Sequence, residues 1–306
     1  MKIAVLGAGA VGLSVAAMLS KVCDVYAVCR KRHADAVKKR GFVMTGIWGE
    51  EKFTFPCSEQ LPKDEKFDYI IITSKSTATR GICEQFKDYL KDTEVISLQN
   101  GIGNEEIISE YTDKVIGGMI ITGFEWRDDA YVHVSVQASP IKLGRFPKGT
   151  DEAVTKIVDL FKTAGMEILA DENITGSLWG KTLYNSALNP LGAIMKVPYG
   201  NLLDQNAWNI IEEIVKEAFL VCNAEGVKLA WNKPEDYLEF LHENQLPSTA
   251  GHHSSMYQDL EFSRKTEIDF INGAIVAKGK NNGIKTPVNK TIVNLIKFKE
   301  DLILSK

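Results

Sequence analysis

Apolar positions follow two rhythms along this chain. In the first half, short continuous apolar runs alternate with amphipathic stretches. KIAVL, DVYAVCR, FDYIIITSK, EVISLQNG, KVIGGMIIT and MEIL read as strands. Residues 11–19, 77–90, 104–111 and 151–164 read as helices. YVHVSVQASPIKLGRF shows alternation and holds turn residues at Ala138-Ser139-Pro140, which predicts a hairpin. From about Asn173 the period lengthens to that of helices, over 174–195, 207–225, 234–243, 254–262, 267–280 and 287–302. Pro190, Pro198, Pro234, Pro247 and Pro287 punctuate this half. The pattern predicts an α/β fold: an N-terminal Rossmann-type doubly wound sheet over residues 1–170, then an all-α C-terminal domain over 171–306. No fixed-period repeat and no low-complexity linker interrupts it.

The opening MKIAVLGAGAVGLSVAAMLS admits two readings, a secretory leader or a phosphate-gripping strand–turn–helix. Three glycines break the apolar run, and a second strand follows at once, which favours the latter. In GAGAVG, Gly7 permits the tight turn, Gly9 lets backbone approach a pyrophosphate, and Gly12 allows close helix-on-strand packing. The amides of Gly9, Ala10, Val11 and Gly12 then open a helix whose N-terminus favours phosphate. A glycine-bearing buried strand and helix without a ligand is the competing view. The end of the second strand reads Cys29-Arg30-Lys31-Arg32-His33, with no acid before Asp35. A carboxylate there would bond the ribose hydroxyls of NAD; guanidinium and ammonium groups instead attract a 2′-phosphate. Arg30 and NADPH are therefore expected, the alternative being a solvated basic turn.

Totals narrow the function classes. The chain has 306 residues, 44% hydrophobic and 25% charged, with net charge −4. Two domains are natural at roughly 150 residues each. The acidic balance gives no nucleic-acid footprint, and no apolar run reaches the roughly 20 residues that span a bilayer. The five cysteines are odd in number and scattered without metal-ligand spacing, so free thiols in a reducing, cytoplasmic setting are expected and no metal is. Composition leaves a homodimer open.

Candidate chemistry falls in three places. In LWGKTLYNSALNPLGAI, Lys181, Asn185 and Asn189 recur at i, i+4 and i+8, so one helix face carries an amine and two amides amid leucines. Burial would lower the lysine's pKa toward the range of a general acid, and the amides offer donors and acceptors to a keto acid. A surface lysine with loop-bonding asparagines is the plain alternative. In HHSSMYQDLEFSRKTEIDFINGAIV, Ser254-Ser255 suit a helix cap and Thr266 suits another, with Glu267 in its first turn. Glu267 is either a capping carboxylate or a group that meets Lys181 and accepts a substrate hydroxyl. His252 and His253, being adjacent, read as loop or cap residues. Lys75 and Asn100 follow the strands YIIITS and EVISLQ, where ligands of open α/β sheets bind.

Together, GAGAVG, TSK ending at Lys75, QNGIGNEE around Asn100, GKTLYNSALNPLGAI, SSMYQDLEFSRKTEIDFINGAIV and GIKTPVN resemble the ketopantoate reductase (2-dehydropantoate 2-reductase) family over nearly the whole chain. The resemblance implies NADPH-dependent reduction of ketopantoate to pantoate, for pantothenate and coenzyme A synthesis. It implies Lys181 as general acid, with Glu267 beside it. It implies Asn185, Asn189 and Ser255 as substrate-holding residues, and Asn100 and Lys75 near cofactor and catalytic centre. Arg30 would meet the 2′-phosphate. The chain departs from the family pattern at Ala78, over GMIITGFEW and at Tyr199. Enzymes for other 2-keto acids, and a non-catalytic NADPH sensor on the same scaffold, share much of this signature.

Overall fold

The computed structural model describes residues 1–305. The chain divides into two compact units. The first comprises Met1–Gln99 and Asn104–Ile174; the second comprises Asn100–Gly103 and the chain from Thr175 onward.

In the first unit the strands are β1 (Lys2–Leu6), β2 (Asp24–Val28), β3 (Phe42–Gly46), β4 (Glu51–Phe53), β5 (Cys57–Ser58), β6 (Tyr69–Ile72), β7 (Glu94–Ser97), β8 (Val115–Met119), β9 (Thr122–Asp128), β10 (Tyr131–Gln137), β11 (Ile141–Arg145) and β12 (Ile168–Ala170). The helices are α1 (Ala10–Leu19), α2 (Lys31–Arg40), α3 (Thr79–Gln85), α4 (Lys87–Leu90), α5 (Asn104–Ile108) and α6 (Glu152–Thr163). The main sheet runs β12-β11-β8-β7-β6-β1-β2-β5. Its strands are parallel from β8 to β5, with β11 antiparallel to β8. Alternate residues of β1 explain the continuous apolar reading. Ile3 and Val5 enter one core cluster, Ala4 and Leu6 the other, and all four are fully buried. A strand covered on both faces needs apolar side chains at every position.

Residues 131–146 do not form the expected hairpin. β10 pairs antiparallel with β9 and parallel with β3 in a separate sheet, β4-β3-β10-β9, whereas β11 joins the main sheet. Alternation marks a half-buried strand but does not name its partner. The true hairpin turns at Asp129-Ala130, with Ala130 at φ +55°. β3, β4, β5 and β9 were not anticipated; they are short or mixed in pattern.

The second unit is helical: α7 (Ile174–Met195), α8 (Gln205–Ala224), α9 (Pro234–Phe240), α10 (Leu246–Thr249), α11 (Ser255–Glu261), α12 (Asn272–Asn281) and α13 (Pro287–Leu304). The helix expected over 234–243 is α9, which continues through a π-helical turn at Leu241–Gln245 into α10. The helix expected over 267–280 is divided. Ile268–Phe270 is a 3-10 turn, Ile271 leaves helical geometry (φ −108°, ψ −101°), and α12 starts at Asn272. Glu267 therefore sits at the start of the 3-10 turn, and its side chain makes no capping hydrogen bond there. Thr266 does bond the Ile268 amide, at 3.2 Å. No helix among the described residues is long and apolar enough to cross a membrane.

Candidate active site

The order of the main sheet reverses between β1 and β6, because β2 lies to one side of β1 and β6, β7 and β8 to the other. Ligands of open α/β sheets bind beyond the carboxyl ends of the strands at such a point. The glycine loop is there. Gly7 has φ +66°, and a Cβ on it would lie 2.4 Å from Cβ of Ser74. A Cβ on Gly12 would lie 2.2 Å from Oγ1 of Thr73, so α1 packs against the chain leaving β6 only because this residue has no side chain. A Cβ on Gly9 would meet nothing within 4 Å, which leaves open space over the turn. The first helical bond of α1 is Leu13 N–H to Gly9 O at 2.9 Å. No side chain caps this end, so the amides of Ala10, Val11 and Gly12 have no acceptor among the described residues. Open space and unpaired amides suit a pyrophosphate.

Arg30 precedes α2 and is exposed. Its basic neighbours are engaged: Lys31 pairs with Asp35 at 2.7 Å, and Arg32 reaches Asp129 at 3.5 Å. The Arg30 side chain makes no ion pair or hydrogen bond among the described residues, and the chain carries no acid between the end of β2 and Asp35. These residues fit a nicotinamide dinucleotide carrying a 2′-phosphate. Lys75, which precedes the 3-10 turn Ser76–Ala78, is half-buried in the same unit.

In the second unit, Lys181, Asn100 and Glu267 form a chain of polar contacts. The Lys181 ammonium donates to Oδ1 of Asn100 at 2.6 Å, and Nδ2 of Asn100 donates to Oε2 of Glu267 at 3.3 Å. Backbone geometry brings Asn100 here. Gly101 takes φ +83°, and a Cβ on it would sit 2.3 Å from the Phe270 carbonyl oxygen; the next amide, Ile102 N–H, donates to that oxygen at 2.8 Å. The loop after β7 is thereby fastened to the 3-10 turn that follows Glu267. Burial pushes the Lys181 ammonium down to about 8, against the opposing attraction of the Glu267 carboxylate. An amine poised near neutrality can release a proton and take it back.

The same face of α7 holds both asparagines. Asn185 is 9% exposed and makes no side-chain hydrogen bond among the described residues. Asn189 accepts a 2.6 Å hydrogen bond at Oδ1 from the Tyr199 hydroxyl, and its backbone carbonyl accepts one from Ser254 at 3.0 Å. Ser254 is also the cap of α11, accepting from the Tyr257 amide at 3.0 Å. Ser255 is exposed at the first residue of α11, with its hydroxyl uncommitted.

α7 tolerates Pro190 in its interior for an identifiable reason. Proline has no N–H, so the Ser186 carbonyl loses its helical donor. Nδ2 of Asn272 supplies one instead, at 3.1 Å, and also donates to Oδ1 of Asn289 at 3.0 Å. Asn289 in turn donates to buried Glu217 at 2.8 Å, whose carboxylate takes the amides of Val288 and Asn289 at the start of α13. The TPVN signature is thus a fastening of α7, α8, α12 and α13. Sequence reasoning missed this network, and missed Tyr199 as a partner of Asn189. Pro190 inside a helix was the signal for the former.

The chain matches the family described as ketopantoate reductase PanE/ApbA over residues 3–148 and its C-terminal counterpart over residues 173–300. A 2-dehydropantoate 2-reductase of Pyrococcus horikoshii is 37% identical over 304 residues, covering 99% of this chain and 98% of that protein. One from Pyrococcus abyssi is 32% identical, covering 99% of each. Among solved structures, a PanE/ApbA family ketopantoate reductase from Ralstonia eutropha JMP134 superposes with TM-score 0.89 at 27% identity over 99% of both chains. D-mandelate dehydrogenase with NADH and anilino(oxo)acetate superposes with TM-score 0.89 at 29% identity, again over 99% of both.

Proposed function

Because this chain belongs to the ketopantoate reductase family, we propose that it reduces 2-dehydropantoate to pantoate with NADPH, with Lys181 as the proton donor. The product would feed pantothenate and coenzyme A synthesis. The observation that carries the catalytic assignment is the Lys181–Asn100–Glu267 contact chain around an amine desolvated to a pKa of about 8. Gly7, Gly9, Ala10, Val11 and Gly12 would hold the pyrophosphate and Arg30 the 2′-phosphate, with Lys75 nearby. When bound, the reduced nicotinamide supplies the hydride that forms the new C2–H bond.

The chain's own part is proton supply and positioning. The C2–O π bond breaks as Lys181 gives a proton to the oxygen, leaving a neutral amine that its buried surroundings favour. Asn100 fixes the direction of Nζ, and the Glu267 carboxylate favours the protonated amine before transfer. Asn185, Asn189 and Ser255 hold the acid and its hydroxyl. Glu267 would also accept a substrate hydroxyl. The odd, scattered cysteines lead us to propose a reducing, cytoplasmic setting.

A second reading, reduction of another 2-keto acid, is favoured by the likeness to D-mandelate dehydrogenase, whose structure holds NADH and anilino(oxo)acetate. Steady-state oxidation of NADPH and NADH with 2-dehydropantoate and a small panel of 2-keto acids tests both. A higher kcat/KM for 2-dehydropantoate with NADPH is expected; a preference for another acid would move the assignment to the second reading.

A further inference from the structure

Asn189 lies one helical turn beyond Asn185 on the face that carries Lys181. An asparagine amide is two-ended, and either end can meet a ligand. Here one end is already committed. The Tyr199 hydroxyl donates to Oδ1 of Asn189 at 2.6 Å. Tyr199 is 2% exposed and is fixed on several sides. Its N–H donates to the His252 carbonyl at 3.0 Å, and the next amide, Gly200, donates to Ala250 at 2.8 Å. Its ring packs edge-on against Tyr184 at 5.8 Å and 89°. Tyr184 is itself held, donating to Thr249 at 2.9 Å. Burial keeps the Tyr199 phenol protonated well past its usual range, so it acts as a donor.

The other end of Asn189 is uncommitted. Nδ2 has no hydrogen-bond partner among the described residues, yet it is not among the sealed, unsatisfied buried atoms, so it opens onto space. From this we infer that Tyr199 is a positioning and specificity-determining residue: it locks the Asn189 amide so that only N–H donors are offered to the ligand. Such a site favours an accepting group, and the carboxylate of a 2-keto acid accepts through either oxygen. The corresponding primary amide fits less well, because only its one oxygen can meet the Asn189 NH2 and the reversed orientation sets donor against donor. The inference rests on the keto-acid reading of the site and adds which polarity the site imposes and which residue imposes it.

The test compares wild type, Tyr199→Phe, Asn189→Ala and the double variant. Tyr199→Phe keeps the ring and removes only the donor. Its KM for 2-dehydropantoate should rise about five- to tenfold, the usual scale of one hydrogen bond, with kcat within about threefold of wild type. The pH at which kcat falls should stay where it is, because Lys181 is untouched. Discrimination between 2-ketoisovalerate and 2-ketoisovaleramide should shrink by a similar factor, since an unlocked amide can present its oxygen. In the Asn189→Ala background the Tyr199→Phe effect should vanish. A loss that persists without Asn189, or unchanged KM and unchanged acid-to-amide discrimination in Tyr199→Phe, overturns the inference. If the wild-type enzyme reduces no 2-keto acid, the functional reading fails by itself. Calorimetric titration of wild type and Tyr199→Phe with 2-ketoisovalerate then decides the inference: weaker binding to the variant supports it, and equal binding or none to either protein overturns it.

Discussion

Nζ of Lys181 lies 2.6 Å from Oδ1 of Asn100, a residue 81 positions earlier in the chain. The other end of that amide lies 3.3 Å from Glu267. Asn100 thus turns its oxygen to a cation and its N–H to an anion, the one arrangement that satisfies both neighbours. The loop after β7 leaves its sheet to make this bridge, and Gly101 permits it through a left-handed backbone held against Phe270.

Removing the amine should remove the proton source. Lys181→Ala should lower kcat by about 100-fold or more, the scale of a general acid, with KM for NADPH little changed. Asn100→Ala keeps the amine but frees its orientation, and should cost roughly tenfold in kcat. Single-turnover measurements with saturating NADPH check both. Near-wild-type turnover in a folded Lys181→Ala protein would end the assignment.

The same amine sets a pH limit. With its pKa pushed down to about 8, Lys181 is protonated below that pH and neutral above it, so reduction should decline as pH rises through about 8. Glu267 opposes the shift by favouring the cation. Glu267→Gln should therefore move the decline to lower pH, in addition to any loss of substrate affinity. Profiles of kcat against pH for the two proteins read this directly.

Much of this site was legible because its chemistry is periodic or local. The i, i+4, i+8 spacing of Lys181, Asn185 and Asn189 survives in the structure because α7 is one continuous helix. The glycine loop was legible because Gly7 takes a left-handed backbone and Gly12 a close contact with Thr73, neither of which admits a side chain. What could not be read was pairing at a distance. Glu267 could be read as a helix cap or as a partner of Lys181, and sequence alone did not decide; Ile271 breaks the expected helix, and the carboxylate accepts from Asn100. The partner of β10 proved to be β9, and β11 crossed to the other sheet, because alternation carries no information about neighbours. Tyr199 gave no periodic signal at all; only its distance from Asn189 shows what it does.

Cofactor choice should rest on Arg30. It stands exposed and unpaired where Lys31 and Arg32 have acidic partners. Arg30→Ala should raise KM for NADPH by about tenfold or more and leave KM for NADH within about twofold, because only the former carries the 2′-phosphate a guanidinium can bind. Equal changes for both would show that Arg30 does not meet that phosphate.

A buried carboxyl in the first unit should tilt stability with pH. Glu105 is 1% exposed, and burial raises its pKa from 4.5 to about 7. Between those values the folded chain keeps a proton that the unfolded chain has lost. The stabilising contribution is therefore complete below pH 4.5 and fades as pH rises through 7, by up to about 3 kcal/mol. Glu105→Gln has no such proton to lose. Its melting temperature relative to wild type should improve on going from pH 5 to pH 8, which calorimetry at the two pH values measures.

The fastening beneath α7 should be costly to undo. Asn289 is fully buried and donates to Glu217 at 2.8 Å and to the Ile214 carbonyl at 3.2 Å, while accepting from Asn272 at 3.0 Å. Asn289→Ala strips a buried carboxylate of one donor and leaves an Asn272 N–H without its acceptor. Unsatisfied groups in that setting cost about 1–3 kcal/mol each, so a loss of about 2–4 kcal/mol is expected in urea unfolding. Asn289→Asp should cost at least as much, since it places a second anion against Glu217 in place of the donor. Thr291→Ala, two residues on and exposed, serves as the control and should stay within about 0.5 kcal/mol. Asn272 also holds the Ser186 carbonyl that Pro190 deprives of its helical donor. The damage should therefore reach the face of α7 that carries Lys181, and kcat in the Asn289→Ala protein should fall under conditions where it remains folded. Full stability in Asn289→Ala would show that the four helices are fastened by apolar packing alone.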